Sequence, residues 1–370
     1  MAPSDGLITL FMAGDVMTGR GIDQILPHPS PPFIPESYLQ DAREYVRLAE
    51  RLNGPITKPV PFEYIWGNTL SAIQQRQPHV RLINLETSVT RWHEYWPDKG
   101  INYRMHPGNI PCLTAAAIDC CVLANNHVLD WGYPGLTETL DTLLRSHIQT
   151  AGAGPNQPAA AAPAILPVSG HRLLVFSLGS ETSGIPARWR ATQKRAGVNL
   201  LPDFSKGSLR QVTEQVRGVK RRGDIAIASI HWGRNWGYGI PADDIAFAHQ
   251  LIDQASVDIV HGHSSHHVKG VEVYKGRLIL YGCGDLINDY EGIGGYETYR
   301  DDLSLMYFAA IDPFAGTLQS LHMVPTQMRR FQLHLAEPSE VQWLATTMDR
   351  ECRKFGHRVQ RQGSDLVLIP

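Results

Sequence analysis

Short apolar segments of this sequence end repeatedly in the same kind of polar cluster. The clusters carry oxygen and nitrogen donors, and their members are Asp15, Asn84, Glu86, Asn125, Asn126, His127, His231, Trp232 and the run from His261 to His267. Apolar segments of this length predict strands. Open sheets place their sites at the carboxyl ends of strands, where donors from successive strands can meet. Five such clusters in order predict a metal site.

The composition is that of an ordinary globular protein. The chain has 370 residues, of which 43% are hydrophobic, enough for one large core or two modest ones. Its formal net charge is -2 at pH 7, so the chain has no overall excess of basic residues. Nucleic acid is therefore disfavoured as a partner, because phosphate binding requires clustered cations.

Targeting signals are not evident in the sequence. No apolar run reaches the length of a membrane span, and residues 1–15 read as the approach to a first strand, not as a signal peptide. The cysteines are odd in number and lack paired metal-ligand spacing: Cys112, Cys120, Cys121, Cys283 and Cys352. We therefore expect a soluble cytoplasmic protein with no membrane partner.

Strands and helices alternate along the chain. The predicted strands are 7–13, 80–85, 118–123, 172–178, 224–230, 257–261, 271–274, 277–282, 303–311 and 317–325. The predicted helices are 38–52, 67–76, 134–146, 205–221, 241–254 and 338–355. A hairpin around Lys275 and Gly276 makes the sheet mixed. This many strands suits two sheets stacked between helix layers, an α/β fold.

We expect one domain over residues 1–370, with loop insertions near 27–66 and 91–110. A C-terminal helix-strand extension is expected over 335–370. Loops leaving the ligand-bearing edge of a sheet are natural substrate walls, so 91–109 and 177–189 are candidate lid segments. The alternative for each is a plain surface loop.

Single clusters have structural explanations as well as functional ones. Asp15 follows Gly14, where a strand can turn and present a carboxylate. Glu86 equally fits a turn cap, and His231 equally fits a buried core histidine. Asn126 and His127, with Asp130 following, offer ligand, base and orienting carboxylate, although an Asx-turn is the alternative.

The motifs together resemble a known family. GDVMTGR, NLE, ANNHVLDWG, HWG, GHSSH and YGCGD are similar, in this order, to the bacterial capsule-synthesis CapA family, also called the poly-γ-glutamate synthesis family. That family is related to the calcineurin-like metallophosphoesterases. The resemblance implies a four-layer αββα sandwich with two central mixed β-sheets.

The resemblance also implies roles for individual residues. It assigns the metal-ligand positions to Asp15, Glu86, Asn126, His231 and His263. His266 completes the terminal histidine pair, and His127 is the implied outer acid or base. Met17 stands where metallophosphoesterases carry a histidine, so we expect one divalent metal ion and not two. The oxygen-rich set favours Ca, Mg or Mn and leaves Zn open, and no organic cofactor is expected.

Two histidine and carboxylate pairs are expected beside the metal. His127 pairs with Asp130, and His266 pairs with Asp15 or Asp285, which makes His127, Asp130, His266 and Asp15 the predicted catalytic groups. An epimerase needs two acid/base groups that flank the substrate, and a cation would stabilise the developing charge. The predicted substrate-binding residues are Lys99, Arg104, Arg20 and Trp232.

Some CapA-like proteins resemble lasso-peptide epimerases, and the missing anchor favours that soluble type. The leading hypothesis is therefore a metal-dependent enzyme that epimerises Cα of a C-terminal residue in a peptide substrate, as in biosynthesis of a ribosomally made peptide. One alternative is a hydrolase of phosphoesters or γ-glutamyl amides. The other is a non-enzymatic accessory role in polymer synthesis. The sequence indicates no oligomeric state.

Overall fold

A computed structural model describes residues 6–369. In chain order its strands are β1 (Ile8–Val16), β2 (Val80–Leu85), β3 (Ser88–Val89), β4 (Arg104–Met105), β5 (Cys120–Val122), β6 (Gln149–Ala151), β7 (Ala153–Gly154), β8 (Ala164–Val168), β9 (His171–Ser180), β10 (Gly197–Val198), β11 (Leu200–Leu201), β12 (Asp224–His231), β13 (Ile259–His263), β14 (Val271–Tyr274), β15 (Arg277–Leu280), β16 (Asp285–Ile287), β17 (Leu303–Asp312), β18 (Thr317–Arg329), β19 (Gln332–Leu335), β20 (Arg358–Gln362) and β21 (Asp365–Ile369).

The α-helices of the same residues include short and long ones. They are α1 (Arg20–Ile25), α2 (Arg43–Asn53), α3 (Thr69–Arg76), α4 (Pro111–Ala115), α5 (Gly132–Arg145), α6 (Gln157–Ala161), α7 (Lys206–Val219), α8 (Ala242–Ala255) and α9 (Pro338–Cys352). Local sequence explains several boundaries. The hydroxyl of Ser205 caps α7, and Glu337 with Glu340 forms a capping box at the start of α9.

Two large sheets organise the fold, and both are mixed. The first has the order β20-β21-β18-β17-β1-β2-β5-β6, with β16 beside β1 and β19 beside β18. The second has the order β11-β9-β12-β13-β15-β14, with β8 beside β9. The parallel strands β1, β2 and β5 lie together in one sheet, and β9, β12 and β13 lie together in the other. The predicted hairpin is β14 with β15.

Strand periodicity sorts the core into layers. Along β1, Leu10 and Met12 belong to an apolar cluster shared by the two sheets, whereas Phe11 belongs to the cluster formed with the first helices. Along β9, Val175 faces the other sheet and Phe176 faces α7 and α8. This alternation produces helix, sheet, sheet and helix layers. The predicted αββα sandwich with two mixed sheets is confirmed.

Every predicted strand and helix overlaps an observed element, but some boundaries were wrong. The helix predicted from residue 38 begins at Arg43, because Ala42 N bonds Pro32 O at 2.7 Å and folds the preceding segment back. The predicted 27–66 insertion contains α2, in agreement with the helix predicted over 38–52. The C-terminal extension contains α9, and its strands β20 and β21 join the first sheet.

No helix among residues 6–369 is both long enough and apolar enough to cross a bilayer. The cysteines are all buried and carry free thiols. The cytoplasmic location and the one-domain organisation stay predictions.

Candidate active site

The strand-end clusters meet at the edge where the parallel strands of both sheets have their carboxyl ends. The first sheet supplies Asp15 from β1 and Glu86 and Asn126 from the segments after β2 and β5. The second sheet supplies His231 and His263, which are register partners at the ends of β12 and β13. Both sheets therefore contribute side chains to one site, as the parallel pairing of their strands requires.

A close backbone approach sets the position of Asp15. Strand β16 pairs in parallel with β1 and places Asp285 opposite Asp15. A Cβ atom on Gly14 would stand 2.0 Å from the carbonyl oxygen of Gly284, which no packed structure tolerates. Only glycine at position 14 permits this approach and the hydrogen bond from Asp15 N to Gly284 O, 3.1 Å long.

The Asp15 carboxylate is fully buried and unfavourably placed as a free anion. Asn84 Nδ2 donates to it at 2.7 Å, and the backbone N of Ser264 donates at 3.1 Å. Burial and then the nearby Asp285 raise the pKa of Asp15 to about 7. A bound cation would stabilise the ionised form.

The five predicted metal ligands form one connected cluster. His231 Nδ1 lies 2.8 Å from His263 Nδ1, and His231 Nε2 lies 3.1 Å from Asn126 Oδ1. Glu86 Oε1 is 3.9 Å from His231 Nε2, and Asp15 Oδ1 is 3.7 Å from His263 Nδ1. The structure thus brings all five together, and their role as ligands stays a prediction.

The chemistry of this cluster fits a divalent metal ion. Donor atoms of Asp15, His231 and His263 lie within 4.8 Å of one another, and all three residues are buried. Burial and neighbouring histidines hold the pKa of His231 and of His263 well below the usual range, which favours the neutral imidazole that binds metals. Burial, and then Asp15, raises the pKa of Glu86 well above the usual range.

A second group of donors shares Asp15 with the first. Asp15, His266 and Asp285 also have donor atoms within 4.8 Å of one another. The expectation of one metal ion depended on Met17, whose sulfur lies 3.7 Å from the hydroxyl of Tyr290. In the structure this second group includes Asp285, a carboxylate that the sequence analysis predicted as a partner of His266 and not as a metal ligand.

His127 has the partners expected of an oriented acid or base. Its Nδ1 lies 2.6 Å from Asp130 Oδ2, which also accepts from Tyr103 N at 2.6 Å. Its Nε2 lies 3.8 Å from Glu86 Oε1 and so faces the metal-ligand cluster. Burial lowers the pKa of His127 to about 4, although Asp130 opposes this shift.

His266 forms the other predicted pair, and its partner is Asp285. His266 Nδ1 lies 3.0 Å from each oxygen of that carboxylate. Burial lowers the pKa of His266, but Asp285 and Asp15 outweigh burial and raise it above its usual value. The centroid of the His266 ring lies 5.3 Å from that of Trp236 and 5.4 Å from that of Tyr290.

Two predicted substrate-binding cations are engaged within the protein. Lys99 forms an ion pair with Asp130, and its Nζ lies 2.9 Å from His127 Nδ1, so its visible role is to hold that pair. Arg20 is buried between Asp289 and Glu36. Both cations therefore have carboxylate partners within the protein, and substrate binding by either stays a prediction.

Arg104 and Trp232 also have partners within the protein, and their contact with a substrate stays a prediction. Arg104 donates to the carbonyls of Trp92 and Pro31 and lies 3.8 Å from the ring centroid of Trp131. Trp232 donates to Tyr281 O at 3.0 Å and is 2% exposed within the outer apolar cluster. Adjacent residues at a strand end point to opposite sides, so Trp232 turns away as His231 turns in.

The candidate lid segments meet beside Lys99. Arg188 donates to Pro97 O at 3.3 Å, and the rings of Trp96 and Trp189 are 5.4 Å apart. A cavity of about 580 Å³ opens here, with walls that include Phe33, Tyr95 and Lys99. The segment predicted from 177 begins later, because β9 continues to Ser180. Its role as a lid stays a prediction.

Comparison with known proteins identifies the family. The family described as "Bacterial capsule synthesis protein PGA_cap" matches residues 9–290. The chain belongs to this capsule-synthesis family. The resemblance to the CapA family read from the motifs is thereby confirmed.

The chain is similar to two named bacterial proteins and to one solved structure. A probable polyglutamine synthesis accessory protein of Mycobacterium tuberculosis is 48% identical over 372 residues, covering 100% of this chain and 97% of that protein. The capsule biosynthesis protein CapA of Bacillus anthracis is 21% identical over 300 residues, covering 81% of this chain and 63% of that protein. A structure of a novel phosphatase from Mycoplasma pneumoniae aligns with a TM-score of 0.49 at 10% identity, covering 91% of this chain and 96% of that one.

Two polar residues near the site were not predicted from the sequence. Ser229 Oγ lies 2.9 Å from His263 Nε2 and 3.0 Å from His261 Nδ1, and its position inside an apolar strand gave a usable signal. Asp301 gave none, because it lies in an irregular segment. Burial, and then the charge of Asp285, raise the pKa of Asp301 to about 6.

Proposed function

We propose that this protein is a metal-dependent acid/base enzyme that hydrolyses amide bonds in a glutamyl peptide or polymer. The observation that carries the proposal is the buried cluster of Asp15, His231 and His263, with His127 facing it. A binding module would not need a histidine oriented by a buried carboxylate beside such donors.

The cluster explains how each group would act. Asp15, Glu86, Asn126, His231 and His263 would hold a divalent ion. That ion, when bound, would polarise a carbonyl and lower the pKa of water. Asp130 would accept a hydrogen bond from Nδ1 of His127, which leaves Nε2 to take a proton from the attacking water as its oxygen bonds the amide carbon. The same Nε2 would return that proton to the leaving nitrogen as the C–N bond breaks.

The substrate class rests on the relatives. The 48% identical protein is named for polyglutamine synthesis and the more distant one for capsule biosynthesis. The first name concerns a polymer of glutamine, whose residues are joined by amide bonds, and the second concerns a capsule. An enzyme that trims or releases such a polymer fits the term accessory protein.

Purified protein loaded separately with Mn²⁺, Mg²⁺, Ca²⁺ or Zn²⁺ should release amines from γ-linked glutamate oligomers. Glu86→Gln should reduce this turnover by at least about 100-fold, because it removes charge from the ligand cluster. Glu44→Gln changes a partly exposed glutamate of α2, which pairs with Arg47, and serves as the matched control. Turnover that Glu86→Gln retains, or no turnover with any metal, would refute the proposal, and turnover of phosphoesters alone would assign another reaction.

Epimerisation, the leading reaction from the sequence, is kept as a second candidate. The relatives' names do not support it, but one observation does: His127 with Asp130 and His266 with Asp285 are two separate acid/base pairs. Incubation of the metal-loaded protein with peptides in deuterated water should then place deuterium at one Cα. A lack of exchange in peptides that end in different residues would remove this candidate.

A further inference from the structure

A groove on the outer helix layer is lined by cations and amides. It lies between α7 and α8, has a volume of about 470 Å³, and its walls are Lys206, Leu209, Arg210, Thr213, Arg217, Gln250 and Gln254. None of these residues belongs to the strand-end site. Its wall residues contain three cations and no carboxylate, although the whole chain carries a net charge of -2.

The cations form a stripe because of helical spacing. Lys206, Arg210, Thr213 and Arg217 follow one another at intervals of four, three and four residues, so they share one face of α7. Val212 and Val216 occupy the opposite face and pack on the second sheet. The side chains of Lys206, Arg210 and Arg217 are exposed.

Nearby acids are largely engaged elsewhere. Asp253 of α8 accepts from Lys275 at 2.6 Å and from Tyr274 at 3.0 Å. Asp203, before α7, accepts from Ser208 at 2.7 Å. Glu214 is the exception: it lies on α7 four residues after Arg210 and three before Arg217, so it borders the stripe, but among residues 6–369 it forms no ion pair with these arginines at 4.0 Å or less. Arg217 donates to the backbone carbonyl of Gln254 at 2.9 Å, which fixes its direction across the groove.

We infer that this groove binds an acidic polypeptide chain. From Lys206 to Arg217 the stripe spans about 16 Å, the length of about five extended residues. Three cations can pair with carboxylates along that length, while Gln250 and Gln254 can exchange hydrogen bonds with the main chain of the bound segment. The inference does not depend on the proposed function, because it uses none of the same residues.

Other polyanions fit the groove less well. A membrane surface is usually engaged by exposed apolar side chains next to cations, whereas the only apolar wall residue, Leu209, is 4% exposed. Single-stranded nucleic acid is usually bound with aromatic stacking, and the groove has no aromatic wall residue.

Fluorescently labelled poly-L-glutamate tests the inference with the full-length protein by anisotropy at low salt. We expect saturable binding that weakens as salt rises, and a loss of at least about tenfold in affinity in the double variant Arg210→Glu with Arg217→Glu. The control is Arg43→Glu with Arg47→Glu on α2, two exposed arginines that already pair with acids. The control should bind like the original protein.

Further variants distinguish the possible reasons for a loss of binding. The milder double variant Arg210→Gln with Arg217→Gln should also lose affinity, and an unchanged thermal melt shows that either variant is folded. The groove variants should hydrolyse short γ-linked glutamate oligomers as the original protein does, because the groove shares no residue with the strand-end site, so loss of amide hydrolysis and loss of docking are distinguishable. No binding, binding equal in the groove variants and the control, or binding only to anionic vesicles or polyphosphate would overturn the inference.

Discussion

At the scale of single residues, the site depends on groups that contribute position more than chemistry. Gly14 allows β1 to approach Gly284, and Asn84 holds Asp15 by a hydrogen bond of 2.7 Å. Lys99 does the same for His127 through Asp130. Two of these supports lead to measurable expectations.

Replacing Gly14 by Ala should destabilise the protein by about 3 kcal/mol or more. The new methyl group would overlap the carbonyl oxygen of Gly284, and the hydrogen bond from Asp15 N to that oxygen holds the two backbones together. Chemical denaturation with circular dichroism measures the change. The matched control is Gly218→Ala in α7, where a Cβ meets no atom within 4 Å. That variant should be neutral or more stable by up to about 1 kcal/mol. Equal effects of the two variants would show that the Gly284 contact is relaxed in solution.

Lys99→Met should lower stability by about 2 kcal/mol, since it leaves the buried Asp130 without its cation. If Lys99 instead held a substrate carboxylate, the variant would keep its stability and raise KM alone. Thermal unfolding and steady-state kinetics on the same preparations separate the two. The exposed Lys194→Met is the control and should change neither quantity.

At the scale of elements, the sequence predicts what depends on short-range pattern. The apolar runs of β1, β12 and β13 were recognisable, and the parallel order of strands explains why donors at their ends converge. The ion pairs of Arg20 were not recognisable, because Glu36 and Asp289 come from distant segments. The burial of Trp232 could have been predicted, since strand alternation turns it away from His231.

The C-terminal elements carry an acid-sensitive contact. Asp349 of α9 accepts from Arg358 Nε of β20 at 2.8 Å and from Val359 N at 3.0 Å. The Arg358 hydrogen bond is the main reason that the pKa of Asp349 falls to about 2 from its usual 3.8. A lowered pKa stabilises the fold above pH 3.8, and this contribution is lost as the pH falls towards 2.

Asp349→Asn should therefore lower stability by about 1 kcal/mol at pH 7, and the difference from the original protein should disappear near pH 2. Thermal melts of both proteins between pH 2 and pH 7 test this. Asp141→Asn on α5, whose exposed pair with Arg145 is 3.7 Å long, should have little effect at any pH. A difference that persists at pH 2 would mean that packing, not charge, is responsible.

At the scale of the whole molecule, the site joins the two sheets. Asp15 belongs to the first sheet and His231 and His263 to the second, while His261 bonds Ala13 O at 2.9 Å across the same boundary. Separating the sheets would pull this donor set apart. A ligand held by these donors should therefore stabilise the packed pair of sheets and not one sheet alone.

A divalent ion held at this boundary should raise the unfolding temperature of the whole chain. At an ion concentration 100 times Kd the expected gain is about 2.7 kcal/mol, or a few degrees. Differential scanning calorimetry of protein stripped with chelator and refilled with Mn²⁺, Mg²⁺, Ca²⁺ or Zn²⁺ measures it. His231→Gln should abolish the shift, whereas His249→Gln, whose histidine pairs with Glu272 outside the site, should keep it. If no ion shifts the transition, or if His231→Gln responds like His249→Gln, the donors do not form a metal site.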